Sequence, residues 1–219
     1  MDGLISFLRS HPAARRGLSV LSIALLAGAV MLLGYPVFTN LQHNRLQDRL
    51  GNELASDRLQ QAYKDKKIGI GDALTWIKIP AIGVDTVVVE GTTTTELKAG
   101  AGHYPNTALP CELGNMAIAG HRTTYGKPFS NIDQLKPGDT ITLETPIGRC
   151  DYEVEKAPKP FRSPASMAAS WVVAPNDLRV IDQDPAKAEL TLTTCHPKGS
   201  AKERLIIRAR KVGGKAAPA

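Results

Sequence analysis

Thr191-Leu192-Thr193-Thr194-Cys195 reads as the end of a β-strand. Alternation puts Leu190 and Leu192 on one face and Thr191, Thr193 and Cys195 on the other. The strand therefore ends in a thiol that points away from the core. The stretch from Arg204 to Arg210 alternates as well. Leu205 and Ile207 face the core, so Arg204 shares the side of Cys195. Between the two strands, His196 to Glu203 contains Pro197 and Gly199 and reads as a hairpin loop. A thiol and a guanidinium on one open face suit acyl transfer, with a nucleophile beside a cation that stabilises an oxyanion.

A third partner lies upstream. Met116-Ala117-Ile118-Ala119-Gly120-His121 has the pattern of a strand. With Met116 and Ile118 buried, His121 shares its face with Ala117 and Ala119, whose small side chains leave a groove beside the imidazole. On spacing alone the bland readings stand beside the sharp ones. A lone cysteine is more often a small buried hydrophobe, a lone histidine a satisfied structural residue, and Arg204 a surface charge like Arg208 and Arg210. His196 is a poor partner for Cys195, since successive strand residues point to opposite faces.

Thr-Leu-Thr-Thr-Cys followed by Arg-Leu-Ile-Ile-Arg (204–208) resembles the signature of the sortases. Ala-Gly-His-Arg-Thr-Thr-Tyr-Gly (119–126) resembles their catalytic-histidine segment. Gly102-His103-Tyr104-Pro105 and Trp76-Ile77-Lys78-Ile79-Pro80 match in the expected order. The resemblance runs over 74–211 and is strongest to the class E sortases of actinobacteria. It implies an eight-stranded sortase-type β-barrel with short helices, and a cysteine transpeptidase that needs no cofactor. It implies Cys195 as nucleophile, His121 as general acid/base and Arg204 as oxyanion stabiliser. The implied partners are secreted proteins with a C-terminal Leu-x-x-x-Gly type sorting signal, cut between Thr and Gly, and an amine on a peptidoglycan precursor. Class E implies Leu-Ala-x-Thr-Gly in preference to Leu-Pro-x-Thr-Gly. Thr193, Thr194, Tyr104, Tyr125 and His103 are the candidate substrate-binding residues. The same triad also serves a hydrolytic cysteine protease or a pilus-polymerising sortase. From a different class, a non-catalytic envelope-binding barrel with a structural cysteine remains open.

Upstream of the barrel, Leu18 to Phe38 carries no charged residue. As a helix rising 1.5 Å per residue it crosses a hydrocarbon core about 30 Å thick. Arg9, Arg15 and Arg16 precede it against one acid, Asp2, which predicts a cytoplasmic N-terminus. A cleaved signal peptide is the alternative, but its apolar region is normally shorter. The expected order is 1–17 cytoplasmic, 18–38 a single-pass membrane anchor, 39–73 a helical stalk and linker, 74–211 the extracytoplasmic barrel, and 212–219 a flexible tail. Leu46, Leu50 and Leu54 mark the stalk as helical. Its role is either to lift the domain off the membrane or to fold onto it, and Lys64 to Gly71 reads as a joint. The formal charge of +6 suits solubility or an anionic envelope surface. No Lys/Arg run argues for nucleic acid.

Within the barrel, strands are expected at 75–79, 84–90, 101–104, 115–121, 139–145, 149–156, 188–195 and 204–211. Antiparallel pairing with one wet face is the expectation. Thr93 to Ala99 and Phe129 to Leu135 read as helical turns. Between them and the Cys195 strand, 157–187 is a long Pro-rich loop with a short helix over Met167–Val173. Three cysteines in an oxidising compartment suggest a Cys111–Cys150 disulfide and a free Cys195. The class E resemblance puts Gly where Cys111 stands, so the pairing rests on compartment and count. No metal site is expected: the histidines and cysteines lack zinc spacing, and Pro105 to Asn115 holds one acid, Glu112.

Overall fold

The computed structural model describes residues 11–158 and 168–215. The chain divides into two compact units, one up to Thr39 and one from Asn40 onward. Helix α1 (Pro12–Leu54) is followed by α2 (Asp57–Lys64). Then come β1 (Ala73–Ile79), β2 (Val84–Glu90), helix α3 (Thr94–Ala99), β3 (Ala101–His103) and β4 (Gly114–Ala119). After them lie β5 (Thr140–Thr145), β6 (Gly148–Val154), β7 (Ser170–Val173), β8 (Ala188–His196) and β9 (Glu203–Lys215).

The sheet runs β6-β5-β1-β2-β3-β4-β8-β9, and β6 pairs with β9, so eight strands close into a barrel. The length of β9 makes the closure. It pairs with β8 over 203–210 and with β6 over 209–215, leaving an earlier edge for β7 over 204–207. Alternation decides the inside: on β6, Cys150, Tyr152 and Val154 are buried and Asp151 and Glu153 are not. Not every pairing is antiparallel, however. β2–β3 and β4–β8 are parallel. β8 is buried on both faces, with Leu190 and Leu192 in the core and Thr191 and Thr193, on the other face, buried as well.

The polar stretch after the apolar span is not a free stalk. Leu50, Leu54, Leu59 and Tyr63 all belong to the barrel core. Each buried leucine stabilises the docking by roughly 1.5–3 kcal/mol. Gln47 fixes its register: its amide accepts from the backbone of Val87 (2.7 Å) and Thr86 Oγ1 (2.8 Å) and donates to the carbonyls of Val87 (3.1 Å) and Ala99 (2.8 Å). Ser56 caps α2 through its hydroxyl on Leu59 N. The Lys64–Gly71 joint is tied as well, by Lys67 N to Ala62 O (2.8 Å) and Gly71 N to Glu90 O (2.8 Å).

Other expectations change at element ends. β4 stops at Ala119, short of His121. The turn expected at Phe129–Leu135 is a 3₁₀ turn over Ile132–Gln134. The expected helix at Met167–Val173 is strand β7, Met167 lying outside the described residues, and a 3₁₀ turn follows at Leu178–Ile181. The expected tail is strand as far as Lys215, and 216–219 lie outside the described residues. Cys111 and Cys150 form a disulfide, with Cα atoms 5.6 Å apart, inside the range a bridge allows.

Candidate active site

Register assembles the site. Along the parallel β4–β8 ladder, Ala119 stands beside Thr193. The chain keeps to that path for one residue more: Gly120 N donates to Thr193 O (3.0 Å), and Thr194 Oγ1 donates to Gly120 O (2.7 Å). His121 comes next in the chain, where it leaves the strand path. On the other flank, Cys195 pairs with Arg204 across β8–β9. Neighbouring strands lie about 4.8 Å apart, so the thiol-bearing residue stands beside Arg204 on one flank and beside the chain end that leads into His121 on the other. Cys195 is a half-buried free thiol.

His121 is half-buried, and its desolvation lowers its pKa. Its ring lies 5.4 Å from that of Tyr125, tilted by 39°. No hydrogen bond occupies either ring nitrogen among the described residues. The turn behind it is tight: Phe129 N donates to His121 O (3.1 Å). A Cβ on Gly120 would lie 2.5 Å from the Phe129 ring, so that position needs glycine. Past the turn, Tyr125, Gly126 and Lys127 all take positive φ, at 49°, 71° and 45°. Non-glycine residues hold that conformation only where neighbours enforce it. Here His43 of α1 closes against Gly126, and Lys98 Nζ lies 5.9 Å from the Tyr125 ring centroid. A polar cavity of about 890 Å³ opens on the α1 side of this loop, with His43, Gln47, Trp76, Asp85 and Asn131 in its lining. Neither Cys195 nor Arg204 lines it.

Arg204 is half-buried, and one guanidinium nitrogen donates to the carbonyls of Ala201 and Glu203, both at 3.0 Å. Among the described residues no carboxylate pairs with it. The remaining donors are free to meet an oxyanion. Arg208, by contrast, is tied down by Glu189 (3.3 Å) and the Val180 carbonyl (2.7 Å).

The candidate substrate residues divide. Tyr104 and Thr193 meet, Oη to Oγ1 at 3.1 Å, on the parity of Cys195. Tyr125 stacks near His121. Thr194 faces inward, and its hydroxyl is spent on Gly120 O. His103 does not line a groove: it is buried, with Nδ1 at 2.7 Å from Glu90 Oε2 and Nε2 bonded to Ala108 O (3.0 Å) and Thr107 Oγ1 (2.8 Å). Of the two alanines expected to leave a groove beside His121, Ala117 is fully buried and Ala119 is partly exposed.

Sequence reasoning passed over Arg122. It is 4% exposed. Its NH1 lies 3.3 Å from the carbonyl of Cys195 and 3.0 Å from His196 Nδ1, and its NH2 lies 2.9 Å from Asp133 Oδ2. The available signal was parity: the residue after an outward histidine faces in, and a charged one there needs a buried partner.

A family model described as a sortase domain matches residues 77–212. Sortase D of Bacillus subtilis is 29% identical over 210 residues, covering 88% of this chain and 98% of that protein. A sortase D5 transpeptidase of Clostridium perfringens matches with a TM-score of 0.63 and 31% identity, over 78% of this chain and 98% of that one. Sortase E of Streptomyces avermitilis matches with a TM-score of 0.56 and 34% identity, over 68% and 93%.

Proposed function

This chain belongs to the sortase family of cysteine transpeptidases, and from that premise we propose that it joins secreted proteins to a cell-wall amine. The observation that carries the reading is the free thiol of Cys195 beside its ladder partner Arg204, on a strand end bonded to the segment that leads into His121. Cys195 Sγ, its proton passing to His121, attacks the Thr–Gly carbonyl of a C-terminal sorting signal. The carbonyl electrons move onto oxygen, where Arg204 meets the oxyanion. Collapse breaks the C–N bond, and His121 gives its proton to the leaving glycine amine. The thioacyl enzyme that remains is attacked by an amine of a peptidoglycan precursor. His121 takes the amine's proton, the C–S bond breaks, and an amide forms.

Similarity to sortase E favours a Leu-Ala-x-Thr-Gly type signal. The span 18–38 is the membrane anchor, with the N-terminus cytoplasmic and the barrel outside. In support, α1 is long and apolar enough to cross a bilayer, and Arg15 and Arg16 precede the span.

The test uses the full chain in detergent with a Leu-Ala-x-Thr-Gly peptide, with and without an added amine. Mass spectrometry should find a thioacyl adduct on Cys195 and an amide product that needs the amine. Cleavage to the acid alone, whatever the amine concentration, would make the protein a hydrolase. No adduct on Cys195 would end the reading.

A further inference from the structure

We infer that Arg122 is a positioning residue for acyl transfer: its buried guanidinium locks the strand end bearing Cys195 to the loop bearing His121. The inference rests on the reading of those two residues as nucleophile and acid/base.

The argument starts from an interrupted ladder. In a parallel pair, carbonyls two residues apart on one strand accept from N–H groups two residues apart on the other. Thr193 O accepts from Gly120 N. Had β4 continued, Cys195 O would accept from the backbone N–H of residue 122. The chain instead leaves the strand path after Gly120, toward the turn that puts Phe129 N on His121 O. The side chain of that same residue makes the missing bond, with NH1 at 3.3 Å from Cys195 O. The guanidinium thus replaces a strand that had to end for His121 to be presented.

Two further contacts fix it. NH2 lies 2.9 Å from Asp133, which the 3₁₀ turn Ile132–Gln134 holds in place. NH1 also faces His196 Nδ1 at 3.0 Å, so that ring nitrogen is the acceptor. The loop after His121, the turn at Asp133 and the two residues ending β8 therefore meet at one side chain. At 4% exposure the guanidinium does not reach substrate, which excludes direct catalysis. Nor is it built for stability alone. Arg122 Nε and Asp133 Oδ1 are buried without hydrogen-bond partners, and such a pair is commonly replaceable by apolar side chains without loss of folding. What an apolar pair does not supply is a donor for Cys195 O. Slack of about 1 Å in a reacting atom costs on the order of 10²-fold in rate.

The experiment uses the full chain in detergent and compares wild type, Arg122→Lys and the double variant Arg122→Met/Asp133→Leu. Four quantities are read: thermal midpoint, kcat and KM for the sorting peptide, and the pH profile of Cys195 alkylation by iodoacetamide. The double variant should fold with a midpoint near that of wild type. Its kcat should drop by ten- to a hundredfold with KM within about threefold, and its alkylation profile should be displaced. Arg122→Lys keeps a donor and should recover part of kcat. A folded double variant with wild-type kcat and alkylation profile overturns the inference. So does a loss confined to KM. If the double variant does not fold, a folded Arg122→Lys decides, wild-type kcat overturning the inference and a tenfold loss supporting it. A wild-type protein without alkylation or acyl transfer at Cys195 would instead overturn the function proposed above.

Discussion

His103 and His121 occupy matching places: each follows a glycine, at the end of β3 and just past the end of β4, on neighbouring antiparallel strands. Their surroundings are opposite. His103 is 1% exposed, and Glu90, Ala108 and Thr107 claim both of its ring nitrogens. His121 is half-buried, with an aromatic ring beside it and neither nitrogen taken among the described residues. A catalytic imidazole must exchange protons with substrate, so it cannot also be saturated by the fold. Unspent hydrogen-bonding capacity at the edge of a rigid scaffold, more than the residue type, separates the two.

Substitution should split activity from stability along that line. His121→Ala should lower kcat for peptide cleavage on the order of 10³-fold while the thermal midpoint stays within a few degrees. Cys195→Ala should abolish turnover. Substantial cleavage by folded His121→Ala would mean that another group moves the proton, and His103 would be the first to examine. His103→Ala should do the reverse. It strands Glu90, 7% exposed, without its partner, a loss of about 3–5 kcal/mol measurable by urea unfolding. Its kcat per folded molecule should hold within about threefold.

Arg204→Lys sharpens the comparison at the second edge of Cys195. Lysine keeps the charge but not the planar fork. The loss in kcat should be on the order of 10²-fold with folding intact. Equal activity for Lys would reduce Arg204 to a generic cation.

Much of this was legible in sequence because it is local. Alternation along 190–195 and 204–210 gave the sides of Leu192, Cys195 and Arg204, and the ladder pairs Cys195 with Arg204. What sequence missed depends on distant chain. Ser170 to Val173 is a strand only because the early half of β9 offers a free edge, and its Ala-rich approach has the composition of a helix. The leucines of 46–54 mark a helix, but their spacing does not say whether that face meets the barrel. The role of Arg122 requires knowing that β4 ends at Ala119. Cys111 is a mixed case. Its φ of 71° suits glycine, the residue that the class E resemblance puts there. A disulfide to Cys150 accompanies the conformational penalty here, and closing that loop contributes about 4 kcal/mol in the chain-entropy model.

The smallest effect concerns the histidines held neutral by burial. His43 and His121 both have lowered pKa values, in each case chiefly through desolvation; for His43 the carbonyls of Lys98 and Ala99 oppose it. In the unfolded chain each titrates near 6.5. As pH falls through that value the unfolded state takes up protons that the folded state still refuses, so stability falls with pH until the lowered values are passed. Above about pH 7 neither group contributes a slope. His43 is 8% exposed against Gly126, so it should supply the larger share, at most about 1.4 kcal/mol per pH unit. His121 is more open to solvent and should supply less. Urea unfolding between pH 7.5 and 5 tests this: His43→Gln should flatten the acid slope more than His121→Gln does. Equal slopes in wild type and both variants would mean that the two rings charge in place, and that α1 holds the active-site loop by packing alone.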